Sequence, residues 1–460
     1  MAGLVNGVHM RMILGFFLAA ILAASLASCA STVDTDRPPG MVTRYEGGYV
    51  FDGRGFVARP LCMARDRIVR CAAQPIAPGG ARARALVIEL DGAFITPPFG
   101  DAHTHHFDGP ATFDWHNALN LEAGVFYALN LTAPATGVSA IRRRLAAAAT
   151  VDVASATGGI TGPESHPAEI YEALAIGAYT YDQQLERQAE IRASRKMADN
   201  AYFVVSDEAD LRAKWPLVLA AKPDLVKVFL RKSDRYREGY GKWGPGGGID
   251  PVLMPTIVAL AHAKGLRVAA STSNVADFRV AAAAGADIIT HLPCYQDSAG
   301  DPDSPYYDVD LAKDCLLTDD DARAAGRADI VATLITSEWE KDRPTELVAW
   351  ERANVARLRE AGVRLVIGSN AYGGNVAAGL VAGVEKGMAT ATEMLRMSTM
   401  DTPRAIFPGR KVGCLNPGCE ASFLAFSEDP TGDFGTIERI ALRVKAGEAL
   451  NLASDLAARD

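Results

Sequence analysis

From about residue 93 onward, short apolar runs alternate with longer segments whose apolar residues recur at helical spacing. The helical spacing is clearest in Pro251–Gly265, Val275–Gly285 and Thr345–Gly362, whereas the apolar runs are continuous in Val, Ile and Leu. Continuous runs of this kind indicate parallel strands that are buried on both faces. Eight such runs predict strands over residues 93–105, 124–131, 150–155, 225–230, 266–272, 286–292, 329–337 and 363–370.

This alternation predicts an α/β fold, a (β/α)8 barrel of the TIM type that spans residues 94–407. In such barrels the reacting groups lie at the C-terminal ends of the strands. Short β-like runs with hairpin signals occupy residues 41–93 and 408–460 on either side. We expect these two flanking segments to form one small β-sandwich.

The composition and the distribution of charge limit the kinds of molecule that the protein is expected to bind. The chain has 460 residues, of which 49% are hydrophobic and 22% charged, enough for a large core. Its net charge of −8 is spread along the sequence rather than gathered in acidic runs. No basic patch interrupts it, so we expect no nucleic-acid partner. The oligomeric state is not predicted by any of these features.

The N-terminal region carries an export signal. The apolar run Ile13–Leu22 is shorter than the roughly 20 residues that a membrane-spanning helix needs. Leu26–Cys29 resembles the bacterial lipobox, which implies that residues 1–28 are a signal peptide and that Cys29 is lipidated. Because Ala30 rather than Asp follows, the resemblance implies an outer-membrane lipoprotein that faces the periplasm, with residues 29–40 as a tether. An ordinary signal peptide with an incidental cysteine is the alternative.

The remaining six cysteines fall into three close pairs: Cys62 with Cys71, Cys294 with Cys315, and Cys414 with Cys419. Six thiols allow many pairings, but loop-closure entropy favours near neighbours. A zinc cluster is the alternative, although the spacings differ from those of zinc sites. The pattern favours three local disulfides, which are typical of proteins in an oxidising compartment.

The first candidate functional residues lie at the end of the first predicted barrel strand. His103 and His105 are two residues apart, so both imidazoles leave the same side of the strand. Neutral imidazoles on one face are what a zinc-type divalent ion accepts. His166 follows the third predicted strand and is therefore a candidate contact for substrate at the same end of the barrel.

Several segments together resemble one family. Pro98–His105 resembles the first-strand signature of the amidohydrolase superfamily, and later segments resemble its strands 4, 6 and 8 and its return into the sandwich: Asp224–Leu230, Thr290–Pro293, Ile367–Tyr372 and Gly413–Leu424. The imidazolonepropionase-like and prolidase-like members are the most similar. The resemblance implies a metal-dependent hydrolase of C–N bonds with His103, His105, Lys227 and His291 as metal ligands. It further implies that Lys227 is carboxylated to bridge two metals, and that Tyr372 lies near the substrate.

Two positions depart from this family's pattern. Ser271 stands where the strand-5 histidine is expected, and Asn370 stands where strand 8 ends in a catalytic aspartate. A serine hydroxyl is a poor substitute for imidazole, and an amide cannot accept a proton. Loss of a general acid–base group typically lowers the rate by about 10²–10⁴. The departures predict one zinc or other divalent ion rather than two.

Three carboxylates near the strand ends are candidate substitutes for the missing aspartate: Glu164, Asp277 and Glu338. Each is better explained as a surface or helix-capping residue.

Two functions remain open from the sequence. The first is an exported hydrolase that cleaves an amide, peptide or cyclic amide bond of a small molecule with an altered, mononuclear metal site. The alternative is a catalytically inactive relative that binds a ligand or partner while attached to the membrane through Cys29. The survival of four ligand-type residues favours the first.

Overall fold

The computed structural model describes residues 41–71, 85–234, 236, 247–294, 311–333 and 345–452. The strands of these residues are, in chain order, β1 (Val42–Glu46), β2 (Tyr49–Phe51), β3 (Phe56–Ala58), β4 (Leu61–Ala64), β5 (Arg67–Val69), β6 (Ala85–Glu89), β7 (Phe94–Thr96), β8 (Phe99–Thr104), β9 (Val125–Ala133), β10 (Asp152–Thr157), β11 (Gly159–Thr161), β12 (Tyr202–Val204), β13 (Leu225–Phe229), β14 (Arg267–Ser271), β15 (Ile288–Thr290), β16 (Asp329–Thr333), β17 (Leu365–Gly368), β18 (Phe423–Phe426), β19 (Ile440–Lys445) and β20 (Glu448–Ala449).

The α-helices lie between the later strands. They are Phe113–Glu122, Ala135–Leu145, Ala168–Ala175, Tyr181–Glu186, Gln188–Ala193, Glu208–Ala220, Met254–His262, Val275–Ala284, Leu311–Cys315, Asp319–Ala325, Thr345–Glu360, Val376–Glu385, Ala391–Arg396 and Thr402–Ile406. Among the described residues, no helix has the length and the apolar character that crossing a membrane requires.

The chain divides into two compact units, one up to Pro97 together with the residues from Cys414 onward, the other Pro98–Gly413. The first unit contains a four-stranded sheet, β5-β4-β1-β6, and a six-stranded sheet, β20-β19-β18-β7-β2-β3. Val50 and Ile95 share one buried cluster with Leu61, Phe423 and Val444. Antiparallel pairing of β18 with β7 joins the two ends of the chain in one sheet, as the predicted sandwich requires.

The first apolar run of the sequence is two strands, so its interpretation as a single barrel strand was wrong. Phe94–Thr96 pairs with β18 and β2 in the sandwich, and Phe99–Thr104 opens the other unit. Pro97 and Pro98 lie between them. Proline has no backbone N–H to donate to a sheet, so this pair ends one strand before the next begins.

The second unit is the (β/α) barrel. Parallel pairing joins β8 to β9 and β9 to β10, and a second parallel series runs β13-β14-β15-β16-β17. The backbone N–H of Asp224 donates to Ser155 between the two series (2.9 Å), and that of Asn370 donates to His103 at the other junction (2.6 Å). The strands therefore form a ring whose interior is almost entirely buried.

The third barrel strand divides in two, which the sequence pattern did not predict. β10 pairs with β9, and after Gly158 the chain continues as β11, which pairs with β13 and with the short β12. Gly158 has a φ of +76°, and a Cβ there would lie 2.4 Å from the Phe203 ring. Only glycine fits this bend.

All three predicted disulfides are present, Cys62–Cys71, Cys294–Cys315 and Cys414–Cys419. The first closes the hairpin of β4 and β5. The second joins the segment after β15 to the end of the helix Leu311–Cys315, where Leu347 and Trp350 cover it.

Candidate active site

One pocket lies at the C-terminal ends of the barrel strands, where the sequence predicts the chemistry. Its lining combines imidazoles and hydroxyls with an apolar wall: His103, His105, Leu131, Thr132, His166, Pro167, Ile170, Tyr171, Phe229, Leu230, Arg231, Ser271, Thr272, Ser273, His291, Asn370 and Tyr372. Seven of the predicted site residues are in this lining. The eighth, Lys227, lies on β13, two residues before the lining residue Phe229.

Three histidines of the pocket lie close together. The ring centres of His103 and His291 are 4.7 Å apart, and those of His103 and His105 are 5.3 Å apart. His103 and His105 leave β8 on one side, as the period of two predicts. His291 follows β15 directly, and its Nδ1 is 2.5 Å from the hydroxyl of Thr333 on β16.

These imidazoles are neutral at ordinary pH. Burial lowers the pKa of His105 to about 4, with further lowering by the charges of Lys227 and His166. Burial also holds the pKa of His103 and of His291 well below the ordinary value. A neutral imidazole has a lone pair available for a metal or a proton, so all three rings are ready to act as ligands or bases.

Lys227 is fully buried on β13. Its Nζ donates to the hydroxyl of Thr290 at 2.7 Å and lies 5.3 Å from the centre of the Phe229 ring. Burial lowers the pKa of this ammonium to about 7, because the charged form loses its hydration. A neutral amine of this kind can take up carbon dioxide, so carboxylation of Lys227 stays a prediction with a physical basis.

Asn370 closes the ring of strands at the position of the expected aspartate. Its backbone has a φ of +51°, a left-handed conformation that Asn and Asp adopt more readily than most residues. Its Oδ1 is 3.1 Å from Nε2 of His105. The neighbouring Ser369 donates its hydroxyl and its N–H to Asp101, at 2.6 and 3.0 Å, which fixes the end of this strand to β8.

Ser271 lies at the end of β14 and lines the pocket between β13 and β15. Its cross-strand neighbours are Phe229 and Thr290. No imidazole occupies this place in the lining, so β14 contributes a hydroxyl where a second metal would need a nitrogen ligand.

His166 and Tyr372 both line the pocket, as predicted. Nδ1 of His166 is 2.7 Å from Oε1 of Glu169, and the edge of its ring faces Phe229 with the centres 5.1 Å apart. The Tyr372 ring stacks on His105, with the centres 4.5 Å apart. Nearly half of Tyr372 is exposed, which places it at the pocket mouth.

The two candidate substitute carboxylates that the structure describes, Asp277 and Glu164, are engaged elsewhere. Asp277 is buried as the third residue of a capping box with Asn274 and accepts hydrogen bonds from the N–H and hydroxyl of Ser233. Glu164 pairs with Arg192 in an exposed ion pair. Glu338 lies outside the described residues.

The sequence did not single out Glu169 or Arg231. Glu169 follows His166 by three residues and lies in the first turn of the helix Ala168–Ala175, so the His-x-x-Glu spacing at a helix start was the available signal. Arg231 comes two residues after the end of β13 and lines the pocket. Its position directly after a predicted strand end could have indicated a pocket residue.

The donor set fits one metal ion better than two. Nδ1 of His103 and Nδ1 of His105 are buried without a hydrogen-bond partner among the described residues. Two imidazoles on one tetrahedral zinc place their ring centres about 5 Å apart, given Zn–N bonds of about 2.0–2.1 Å. The spacing of His103 from each of the other two rings matches this. Within the residues described, however, no three His, Cys, Asp or Glu side chains converge as a complete metal cage.

Residues 222–450 match the model of the amidohydrolase family. This segment contains Lys227, Ser271, His291 and Asn370, whereas His103 and His105 precede it. No curated protein sequence is significantly similar to the chain.

Several solved structures share the fold at low sequence identity. A prolidase complexed with N-methylphosphonate-L-proline is 17% identical with a TM-score of 0.63, covering 89% of this chain and 99% of its own. The ochratoxinase of A. niger is 16% identical with a TM-score of 0.64, covering 90% and 96%. A putative prolidase from Bifidobacterium longum is 15% identical with a TM-score of 0.62, covering 92% and 99%. At these identities the likeness establishes the architecture.

Proposed function

The chain belongs to the amidohydrolase superfamily, and on that basis we propose that it hydrolyses an amide, peptide or cyclic amide C–N bond of a small molecule. The observation that carries this proposal is the gathering of three neutral imidazoles, His103, His105 and His291, around one pocket. Neutral imidazoles are ligands for a divalent ion. Burial is the main cause of the lowered pKa of His103 and of His291, and Lys227 lies close enough for its charge to lower both further. These four residues are the ones that the sequence resemblance predicts as metal ligands.

The metal site of this proposal is mononuclear. His103, His105 and His291 would hold one zinc or other divalent ion, with Lys227 as a further candidate. Such an ion polarises a carbonyl and makes water more acidic. The apolar wall, including Leu131 and Phe229, would orient the substrate and exclude solvent water. Ser271 and Asn370 supply neither an imidazole nor a carboxylate for a second ion.

The ligands described for two of the similar structures support a small substrate. One is described with a phosphonate derivative of proline, and another, a Xaa-Pro dipeptidase, with methionine bound in its active site. Both ligands are amino-acid sized. We propose that this pocket takes a small amide or dipeptide of similar size.

A second function is favoured by Ser271 and Asn370, which stand where the sequence resemblance leads us to expect a histidine and an aspartate. It is a catalytically inactive member of the superfamily that binds a ligand in the same pocket. The absence of a complete cage among the described side chains is in keeping with it.

One experiment separates the two functions. The chain from residue 29 onward, with Cys29→Ser, is purified, its bound metal is measured by mass spectrometry, and a panel of dipeptides and N-acyl amino acids is assayed. About one equivalent of metal with turnover supports the hydrolase, and a His103→Asn plus His105→Asn control should lose both. A metal-free, inactive parent that gains metal and turnover from Ser271→His plus Asn370→Asp would establish the inactive relative instead.

We also propose that the protein acts outside the cytoplasm, anchored through Cys29 in the outer membrane. The lipobox-like Leu26–Cys29 supports this, although it lies outside the described residues. The three disulfides also support it, because structural disulfides persist in oxidising compartments.

A further inference from the structure

His166 and Glu169 form a hydrogen-bonded pair at the pocket wall. Nδ1 of His166 is 2.7 Å from Oε1 of Glu169, and both residues are largely shielded, with side-chain exposures of 30% and 24%. The backbone carbonyl of His166 accepts a hydrogen bond from the Thr161 hydroxyl at 2.5 Å, and the ring edge meets Phe229. The imidazole is therefore held at both its backbone and its ring.

The pairing determines which ring nitrogen can receive a proton. Burial by itself raises the pKa of the Glu169 carboxyl, but His166 and Arg231 outweigh it and hold that pKa below the ordinary value. Glu169 is therefore ionised and can only accept a hydrogen bond. Whenever the imidazole of His166 holds a single hydrogen, this pairing keeps that hydrogen on Nδ1 and leaves the lone pair on Nε2. A carboxylate that orients an imidazole in this way is a recurring arrangement for general bases.

His166 also lies close to the proposed metal ligands. Burial lowers the pKa of His103, His105 and His291, and a charge on His166 lowers each further. All four rings line one pocket. A substrate carbonyl near the three imidazoles would therefore be close to His166 as well.

The two buried carboxylates near the pocket, Asp101 and Asp108, are already engaged in hydrogen bonds. Both carboxylate oxygens of Asp101 accept hydrogen bonds from Ser369. Asp108 accepts from Asn130 and Tyr171, at 3.0 and 3.5 Å, behind the wall that Tyr171 forms. Asn370 cannot hold a proton. Compared with these three residues, His166 is the one that combines an imidazole in the pocket lining with a carboxylate partner.

We propose that the His166–Glu169 pair performs the proton transfer that the strand-8 aspartate performs in other members, with His166 as catalytic residue and Glu169 as positioning residue. This inference rests on the proposed hydrolase function. As water attacks the carbonyl carbon, Nε2 of His166 accepts one water proton and the C–O bond forms. When the C–N bond breaks, its electron pair stays on nitrogen, which takes the proton from Nε2. The products are a carboxylic acid and an amine, and His166 returns to its neutral form.

The test compares leaving groups in His166→Asn, Glu169→Gln and the parent. For an N-acyl alkylamine, whose nitrogen must be protonated to leave, we expect His166→Asn to lower kcat by about 10²–10⁴. For the matching p-nitroanilide, whose leaving group is far better, we expect a smaller loss, within about tenfold. We expect Glu169→Gln to lower kcat for the alkylamide by a smaller factor than His166→Asn, because Gln keeps the acceptor oxygen but lacks the charge.

Two controls separate catalysis from structure. His262→Asn is the matched control, because His262 also pairs with a carboxylate, that of Asp287 at 2.9 Å, but lies at the exposed end of another helix. This variant should hydrolyse both substrates at the rate of the parent. The metal content of His166→Asn should equal that of the parent, because His166 is not a proposed ligand.

The outcomes are distinguishable. A parent without turnover on any substrate overturns the proposed function and this role together. With an active parent, a raised KM and unchanged kcat in His166→Asn would show that His166 only binds substrate. Equal losses for both leaving groups would show that His166 gives no proton to the leaving nitrogen, and a loss of bound metal would show a structural role. Either result overturns the pair as proton carrier and leaves the hydrolase function standing.

Discussion

At the scale of single residues, the amide of Asn370 determines which ring nitrogen of its neighbour His105 carries the hydrogen. With its Oδ1 3.1 Å from Nε2 of His105, the amide oxygen accepts, so His105 donates from Nε2 and keeps its lone pair on Nδ1. Nδ1 of His105 is buried without a partner among the described residues. A metal at this ring would bind Nδ1, or the Asn370 amide would have to turn. The side chain at position 370 would therefore influence metal binding through the tautomer of His105.

Asp108 is the residue whose charge should govern stability near neutral pH. Burial raises the pKa of its carboxyl to about 7, against an unfolded value near 3.9. Between these two values the folded state binds the proton more tightly, so stability falls as the pH rises from about 4 to 7. We expect Asp108→Asn to remove this dependence. From pH 4.5 to pH 8, the free energy of unfolding of the variant should rise by about 2–4 kcal/mol relative to that of the wild type. Urea unfolding at both pH values measures it.

Asn at position 108 keeps the acceptor oxygen for the Asn130 amide, so the fold should tolerate the change. Wild type and variant with parallel stability profiles across this pH range would show that Asp108 is ionised in the folded protein, contrary to the effect of its burial.

The residues of the pocket were predictable to the extent that their chemistry is rare in the sequence. His103 and His105 could be found because two imidazoles, two residues apart at the end of a strand, form a pattern that is typical of metal sites. The Glu169 carboxylate could not, because a glutamate in the first turn of a helix is usually a solvated or capping residue. Only the structure brings it to His166 and gives it a role.

At the scale of elements, the strands that the sequence predicted well are the long, continuous apolar ones. The predicted run 225–230 is β13, Leu225–Phe229, and 266–272 is β14, Arg267–Ser271. β11 and β12 have three residues each, too few for a period to be recognised. The bend at Gly158 that separates β10 from β11 depends on a tertiary neighbour, Phe203, which no local pattern reveals.

The disulfides should differ in their contribution because they close loops of different length. Cys294–Cys315 spans 21 residues and Cys414–Cys419 spans 5. Loop-closure entropy gives about 3 kcal/mol for the first and about 2 kcal/mol for the second. We expect Cys294→Ala plus Cys315→Ala to lower the free energy of unfolding more than Cys414→Ala plus Cys419→Ala does. Urea unfolding of both double variants, followed by circular dichroism, measures the difference. The reverse order would show that the packing of the sulfurs outweighs loop length.

At the scale of the whole molecule, the barrel and the sandwich were predictable as classes because each has its own period of apolar residues. Their boundary is marked by Pro97 and Pro98, where one strand must end before the next begins. The function is less predictable, since it depends on whether Ser271 and Asn370 can serve at positions where the resemblance leads us to expect a histidine and an aspartate. The structure narrows that question to the contents of one pocket.

In the proposed location, the protein is held at the membrane through one side chain outside the described residues, that of Cys29. If Leu26–Cys29 is a lipobox, Cys29→Ser should abolish labelling by radioactive palmitate in a Gram-negative host and release the protein from the membrane fraction. Ala30→Asp is the matched control: it should keep the label but shift the protein to the inner membrane, because residue 30 is the sorting position. The disulfides are intact in both variants, so each should fold. A Cys29→Ser chain that stays in the outer membrane would show that something other than a lipid holds it there.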